Sequence, residues 1–253
     1  MKPDSALPEQ VLYQDAELLP GRRTRITGSE ADHARRSLRL RSGDPLHLVN
    51  GRGRRYRGRV TDLGRQYVDV DIESEEILKP WPRRMIWLGA GVLRSTRMDT
   101  LVEKSSELGV ARFVPLVLER SVAKPDSEGA KEDRWHRLAI ESLKQSRRSV
   151  LMEVDEPRTL EAFLEAIPPG SAVWAADPEG LNPLSLDDEG VDRLALVVGP
   201  EGGLSARERA LLASRGARFL ALGSNRLRAE TAAISLVTSA LLLGKEFGPP
   251  PSS

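Results

Sequence analysis

Hydrophobic positions recur along this chain at two different periods, and the change of period divides it. PLHLVN, RYRGRVTDL and QYVDVDIE carry the two-residue alternation of half-buried strands, and Gly51 and Gly53 punctuate the first two. Arg25 to Gly28 is a further short strand candidate, and Ser29 with Asp32 resembles a capping box that opens the helical stretch EADHARRSLRL. Three strands and a helix predict a small, β-rich, barrel-like domain over residues 1–75. The run SEEILKPWPR, with its two prolines and dense charge, reads as a linker, placed at 76–84.

Beyond the linker, apolar segments alternate with patterns of helical period. MIWLGAGV, RFVPLVL, SAVWAA, LALVV and RFLALG read as strands. MDTLVEKSSELGV (ending near Gly109), EDRWHRLAIESLKQSRR, TLEAFLEAI, SARERALLASRG and ETAAISLVTSALLLGKEF read as helices. This order over 85–248 predicts an α/β domain in which helices cover both faces of a parallel sheet. The last residues, 249–253, read as a disordered tail.

Composition narrows the chemistry. With 40% hydrophobic and only 4% aromatic residues, the core must be aliphatic. The absence of cysteine excludes disulfides, thiolate zinc sites and the nucleic-acid methylases that attack C6 of a pyrimidine through a cysteine. MKPDSALPEQ lacks the basic start and apolar stretch of a signal peptide. The apolar run around Ala232 to Leu243 falls well short of the roughly 20 residues that span a bilayer. A cytoplasmic protein without membrane association is expected. His33, His47 and His136 are scattered, so surface or core roles are expected for them and no metal site is read.

The net charge of +1 conceals an asymmetry. From Gly21 to Arg65 there are thirteen Arg and four acids, a net of +9, which leaves −8 for the remainder. Guanidinium groups are planar, always charged and suited to phosphate and base contacts. Arg22, Arg23, Arg35, Arg36, Arg39, Arg52, Arg54 and Arg55 are therefore candidate RNA contacts, with a plain solvated surface as the alternative.

Ligands of an open parallel sheet bind where its strands end in loops. Gly199-Pro200-Glu201-Gly202-Gly203 follows one strand and precedes a helix that Ser205 and Glu208 should cap. Taken alone it reads equally as a turn; it has neither dinucleotide spacing nor a phosphate-loop lysine. Ser224 to Thr231 follows the next strand and leads into the apolar last helix. For Arg228 and Glu230 alone, the simpler account is an ion pair with charge stabilisation at a helix start.

Together the two loops change this reading. LVVGPEGGLSARE followed by LGSNRLRAETAAISLVTSALL closely resembles the C-terminal signature of the SPOUT methyltransferases. MDTLVEKSSELGVARFVPLVLERS, WHRLAIESLKQSRRSVLMEV and HARRSLRLRSGDPLHLVNGRGRRYRGRV are similar to successive parts of the RsmE-type methyltransferases of that superfamily, so the resemblance covers nearly the whole chain. Two positions depart from the family's pattern: Arg94, followed by Ser95 and Thr96, stands where the family usually carries a lysine before its first long helix, and Ser146 occupies the small-residue position of a segment that often reads Gln-Cys-Gly-Arg.

The resemblance implies a trefoil-knotted α/β methyltransferase domain behind a small PUA- or OB-like RNA-binding domain. It further implies S-adenosylmethionine as cofactor and methylation of N3 of uridine 1498 in 16S ribosomal RNA of the small subunit. The cofactor would lie between Gly199, Pro200, Glu201, Gly202 and Gly203 on one side and Leu222, Gly223 and Leu227 on the other. Arg228 and Glu230 are the expected catalytic pair, with Arg147, Arg148 and Glu201 as substitutes, and Arg147 and Arg148 join the RNA contacts. A homodimer is implied, packed through Ala232, Ala233, Leu236, Val237, Ala240 and Leu241, unless these residues are buried within one subunit. Two alternatives stay open: a methyltransferase of the same fold with another RNA target, such as a ribose 2′-hydroxyl, or a non-catalytic RNA-binding or ribosome-assembly protein.

Overall fold

Period-two alternation in the N-terminal part becomes strands whose inner faces meet in one core. The computed structural model describes residues 10–121, 130–186 and 190–247, which excludes the expected tail at 249–253. The chain divides into two units, Met1–Pro80 with Leu143–Leu151 and Trp81–Ser142 with Met152–Ser253. The first contains β1 (Val11–Tyr13), β2 (Arg23–Thr27), α1 (Gly28–Asp32), a π-helical turn at His33–Ser37, β3 (Pro45–Val49), β4 (Arg54–Leu63) and β5 (Tyr67–Ile77). They form one sheet in the order β1-β3-β4-β5-β2, antiparallel except between β1 and β3. Tyr56 and Val60 of β4 and Val68, Val70 and Ile72 of β5 point into the core with Leu12, Ile26 and Leu48. Arg57, Arg59 and Glu73 on the intervening positions face outward.

Three local expectations need correction. Strand β1 was not predicted, because three residues are too few to display a period. Ser29 does not cap a helix: the N-cap is Thr27, without a side-chain bond, and Ser29 lies inside α1. Glu30 in that turn serves tertiary structure instead, accepting hydrogen bonds from the Tyr13 amide at 2.8 Å and Lys144 Nζ at 2.7 Å. Finally, β5 runs to Ile77, into the segment read as linker. Its register sets Arg55 opposite Glu76 and Tyr56 opposite Glu75, and opposite charges across a strand pair stabilise the pairing.

Leu143–Leu151, read from its pattern as the end of a helix and its continuation in the larger domain, lies with the first unit. The Gly53 amide donates to Ser149 O at 2.9 Å and the Leu151 amide to Gly51 O at 2.9 Å. Gly51 has φ +73, and a Cβ there would meet Leu151 Cβ at 3.0 Å, so glycine admits this close approach.

The second unit alternates as the pattern requires. It contains β6 (Met85–Gly91), α2 (Ser95–Glu107), β7 (Arg112–Leu116), α3 (Ala130–Gln145, whose end belongs to the first unit), β8 (Glu153–Val154), α4 (Leu160–Ala166), β9 (Ala172–Leu181), β10 (Arg193–Val198), α5 (Ala206–Ser214), β11 (Arg218–Leu220) and α6 (Ala229–Leu243). The sheet is parallel throughout, in the order β11-β9-β10-β6-β7-β8. Leu194 to Val198 are buried on both faces, which explains an unbroken apolar run in a central strand. The Ser205–Glu208 capping box forms, with the Ser205 amide 2.7 Å from Glu208 Oε2, and Glu208 Oε1 also accepts from the Glu119 amide at 2.8 Å.

Helix α6 packs against α2, β6, β9 and β10. Ala233, Leu236, Val237, Ala240 and Leu241 are buried within the chain itself, so these five residues do not form an exposed dimer face. Leu242 of α6 is exposed, as are Leu184, which lines one cavity with it, and Leu181 at the end of β9.

Candidate active site

Parallel strands β10 and β11 end on the same side of the sheet, and the loops that follow them meet there. Between them lies a pocket of about 530 Å³. Gly199, Pro200, Glu201, Gly202 and Gly203 form one wall; Leu222, Gly223 and Leu227 lie on the other, with Ser224, Asn225 and Arg226. All eight residues expected around the cofactor therefore line one cavity. Ala176, Asp177 and Pro178 of β9, Val198 of β10, Leu220 of β11 and Ala229 and Ala232 of α6 complete it; sequence reasoning did not single out these seven as cofactor contacts.

The glycines have steric reasons to be there. A Cβ on Gly199 would meet Gly203 C at 2.8 Å and Leu204 N at 2.9 Å, both backbone atoms. One on Gly91, at the end of β6, would meet Pro200 N at 2.7 Å. Gly203 closes the turn by donating to Pro200 O at 2.8 Å, with φ +71, and Gly223 sits at φ +123, where side chains are strained.

Charged groups fix the walls. Arg120 Nη1 donates to Gly202 O at 2.9 Å and Leu204 O at 3.2 Å, and Arg226 Nη2 to Glu201 O at 3.1 Å. Asp177, buried in the pocket wall, pairs with Arg209 and accepts the Glu179 amide at 2.9 Å. Arg97 of α2 donates to Glu201 Oε1 at 2.8 Å, and its Nε lies 3.8 Å from Glu230 Oε1.

The expected catalytic pair is not an ion pair. Arg228 is exposed at the N-cap of α6 and makes no ion pair among the described residues, whereas Glu230 is held by Arg97. Neither is among the residues lining the pocket, but Ala229 between them is. Arg97 was missed, although the sequence held a clue: a cation in the first turn of a helix opposes the helix dipole and calls for a tertiary partner.

Most of the arginines read as RNA contacts already have partners. Arg23 pairs with Asp71 at 2.7 Å, as the neighbouring Arg25, not one of those candidates, does with Asp69 at 2.7 Å. Arg35 and Arg36 share Asp32, while Arg52, Arg54 and Arg55 pair with Asp15, Glu75 and Glu76. Arg22, Arg39 and Arg147 are exposed and make no ion pair among the described residues. Arg39 and Arg147 both have left-handed backbones, at φ 53 and 59. Arg148 is half-buried, and burial pushes its guanidinium down to about 10. His47 is buried, and burial followed by the Arg55 and Arg57 charges lowers its pKa, keeping the imidazole neutral at pH 7. Among the described residues no three His, Asp or Glu side chains are placed to hold a metal ion, and no helix is long and apolar enough to cross a membrane.

Comparison with known proteins matches both units. Residues 79–241 match the RNA methyltransferase domain family and residues 26–73 the RNA methyltransferase PUA domain family. The ribosomal RNA small subunit methyltransferase E of Aquifex aeolicus is 34% identical over 188 residues, spanning 74% of this chain and 80% of that protein. That of Mycobacterium bovis is 30% identical over 221 residues, 82% of each chain. A methyltransferase from Legionella pneumophila, solved with bound S-adenosylmethionine, is 28% identical with a TM-score of 0.86 over 92% of this chain and 96% of its own. A small subunit methyltransferase E from Neisseria gonorrhoeae, at 23% identity and a TM-score of 0.85 over 92% of this chain and 97% of its own, shares the fold. With a PUA domain followed by a SPOUT-type α/β domain, the chain belongs to the ribosomal RNA small subunit methyltransferase E family of RNA methyltransferases.

Proposed function

We propose that this chain methylates N3 of uridine 1498 in 16S ribosomal RNA of the small subunit, with S-adenosylmethionine as methyl donor, as a cytoplasmic homodimer. The observation that carries this reading is the single pocket lined by all eight expected cofactor positions. Its volume of about 530 Å³ and its walls of glycine backbone and leucine side chains suit a mostly flat, uncharged group such as adenine. When bound, the cofactor supplies an electrophilic methyl group on a sulfonium.

N3 of uridine holds its proton at neutral pH, so methylation needs a base and a means of stabilising the anion that develops. Glu230, in the first turn of α6, supports the role of base, accepting the N3 proton. Arg228, exposed beside it and without an ion pair among the described residues, supports stabilisation of negative charge on O2 or O4. Leu222 and Leu227 would pack the face of a flat ligand, and the Gly199–Gly203 backbone would offer amides and carbonyls to its edge. Leu181, Leu184 and Leu242 offer apolar surface to a second copy.

For RNA contact, unpaired guanidiniums contribute more than paired ones, which must first leave a carboxylate. Replacing Arg22, Arg39 or Arg147 with alanine should reduce the slope of log affinity against log salt by about 0.7 to 0.9 each. Arg25→Ala, which removes a cation already held by Asp69, should leave the slope unchanged. Titration of small subunits across roughly 50 to 200 mM salt reads this. Equal slope changes for Arg25 and Arg39 would contradict it.

In cells, a methyl group on the pairing edge of uridine halts reverse transcriptase. The stop at 1498 should vanish on deletion of this gene and return with its re-expression; a stop that persists in the deletion strain contradicts the assignment.

A further inference from the structure

We propose that Arg97 is the positioning residue of the active site, joining the cofactor wall to the carboxylate that accepts the substrate proton. This rests on the reading of Glu230 as the base.

Three observations converge on it. Arg97 is the third residue of α2, where the positive end of the helix dipole disfavours a cation. Its retention there requires carboxylates nearby, and two are present from different parts of the fold. Nη1 donates to Glu201 Oε1 at 2.8 Å in the loop after β10, and Nε lies 3.8 Å from Glu230 Oε1 in the first turn of α6.

The second observation is the state of Glu230. Its side chain is only 13% exposed, its Oε1 faces Arg97, and its Oε2 is buried with no hydrogen-bond partner among the described residues. A buried carboxylate oxygen without a donor is costly, and such groups persist where a ligand supplies the missing proton. Arg97 holds one oxygen, which leaves the other for a donor such as the N3–H of a uracil ring.

Third, the same guanidinium reads the position of the cofactor loop. Glu201 is held at both ends, its carboxylate by Arg97 and its carbonyl by Arg226 at 3.1 Å. One planar cation with donors on several sides can satisfy both acids at once, which a lysine ammonium on a flexible stem does less well. Displacement of the Gly199–Gly203 loop is thereby transmitted to the base.

Arg97 acts through Glu230, so its effect on turnover should disappear when Glu230 is already neutral. Steady-state kinetics on small subunits are compared for Arg97→Gln, Arg97→Lys, Glu230→Gln and the double variant, with cofactor affinity measured by calorimetry. Arg97→Gln should lower kcat roughly 10- to 100-fold with little change in KM for the subunit, as loss of orientation and charge support for a general base predicts. Arg97→Lys should recover part of this loss. In the Glu230→Gln background, Arg97→Gln should change kcat by no more than about threefold, because coupled residues are non-additive.

Losses that multiply in the double variant, or an Arg97→Gln enzyme with near-normal kcat, would overturn the proposal while leaving Glu230 as base. A Glu230→Gln enzyme with normal kcat would instead remove the underlying reading, and the proposal with it.

Discussion

Glu230→Gln lowers kcat by about two to four orders of magnitude, the span that a general base contributes. Glutamine keeps the size of the side chain and one oxygen toward Arg97, but it cannot accept a proton from N3 of uridine. Helix α6 should remain packed, because its anchoring residues Ala233, Leu236, Val237 and Ala240 are untouched. Cofactor affinity should hold within about threefold, since Glu230 is not among the residues lining the pocket and a threefold change is well under 1.4 kcal/mol. Binding titrations and single-turnover kinetics on the same preparation separate the two quantities. Parallel losses of affinity and turnover would show that Glu230 serves only the structure of the α6 start.

Gly199→Val produces the opposite split: cofactor binding fails first. Its Cβ would stand 2.8 Å from Gly203 C and 2.9 Å from Leu204 N, and neither backbone atom can rotate away. The loop must shift, and overpacking of this kind costs about 1–3 kcal/mol. If most of that cost falls on the ligand-competent loop, affinity drops by roughly 5- to 100-fold, at 1.4 kcal/mol per factor of ten. Gly203→Ala is a milder comparison, because nothing lies within 4 Å of its Cβ and only its φ of +71 is strained. Calorimetry on both variants checks the order; equal effects would mean that loop conformation, not close approach, governs the pocket.

The larger sheet was readable because its signals are local and redundant. Leu194 to Val198 is an unbroken apolar run, and Ser205 with Glu208 marks the following helix start without ambiguity. The pocket walls were readable for a related reason, since glycines that backbone must approach closely leave a compositional mark. What escaped depends on pairing over long sequence distances. Thirteen arginines up to and including Arg65 looked like a basic surface because the count stopped before Asp69, Asp71, Glu73, Glu75 and Glu76. Those acids lie on the neighbouring strand and neutralise most of the face, as the bonds of Arg23, Arg25, Arg54 and Arg55 show. The α6 residues expected at a dimer seam are equally apolar whether a second copy or the chain's own sheet covers them; the structure supplies the sheet. Ser29 had the spacing of a cap, but Glu30 had a tertiary partner in Lys144, 114 residues away.

The most direct test of the account is methyl transfer itself. Purified protein is incubated with radiolabelled S-adenosylmethionine and small ribosomal subunits from a strain lacking this gene, and the labelled nucleoside is identified by mass and mapped on the RNA. The account predicts 3-methyluridine at one 16S position, uridine 1498, and no label in subunits from the parent strain. Label at a ribose 2′-hydroxyl or at another base, or no label from a protein that binds the cofactor, would contradict it.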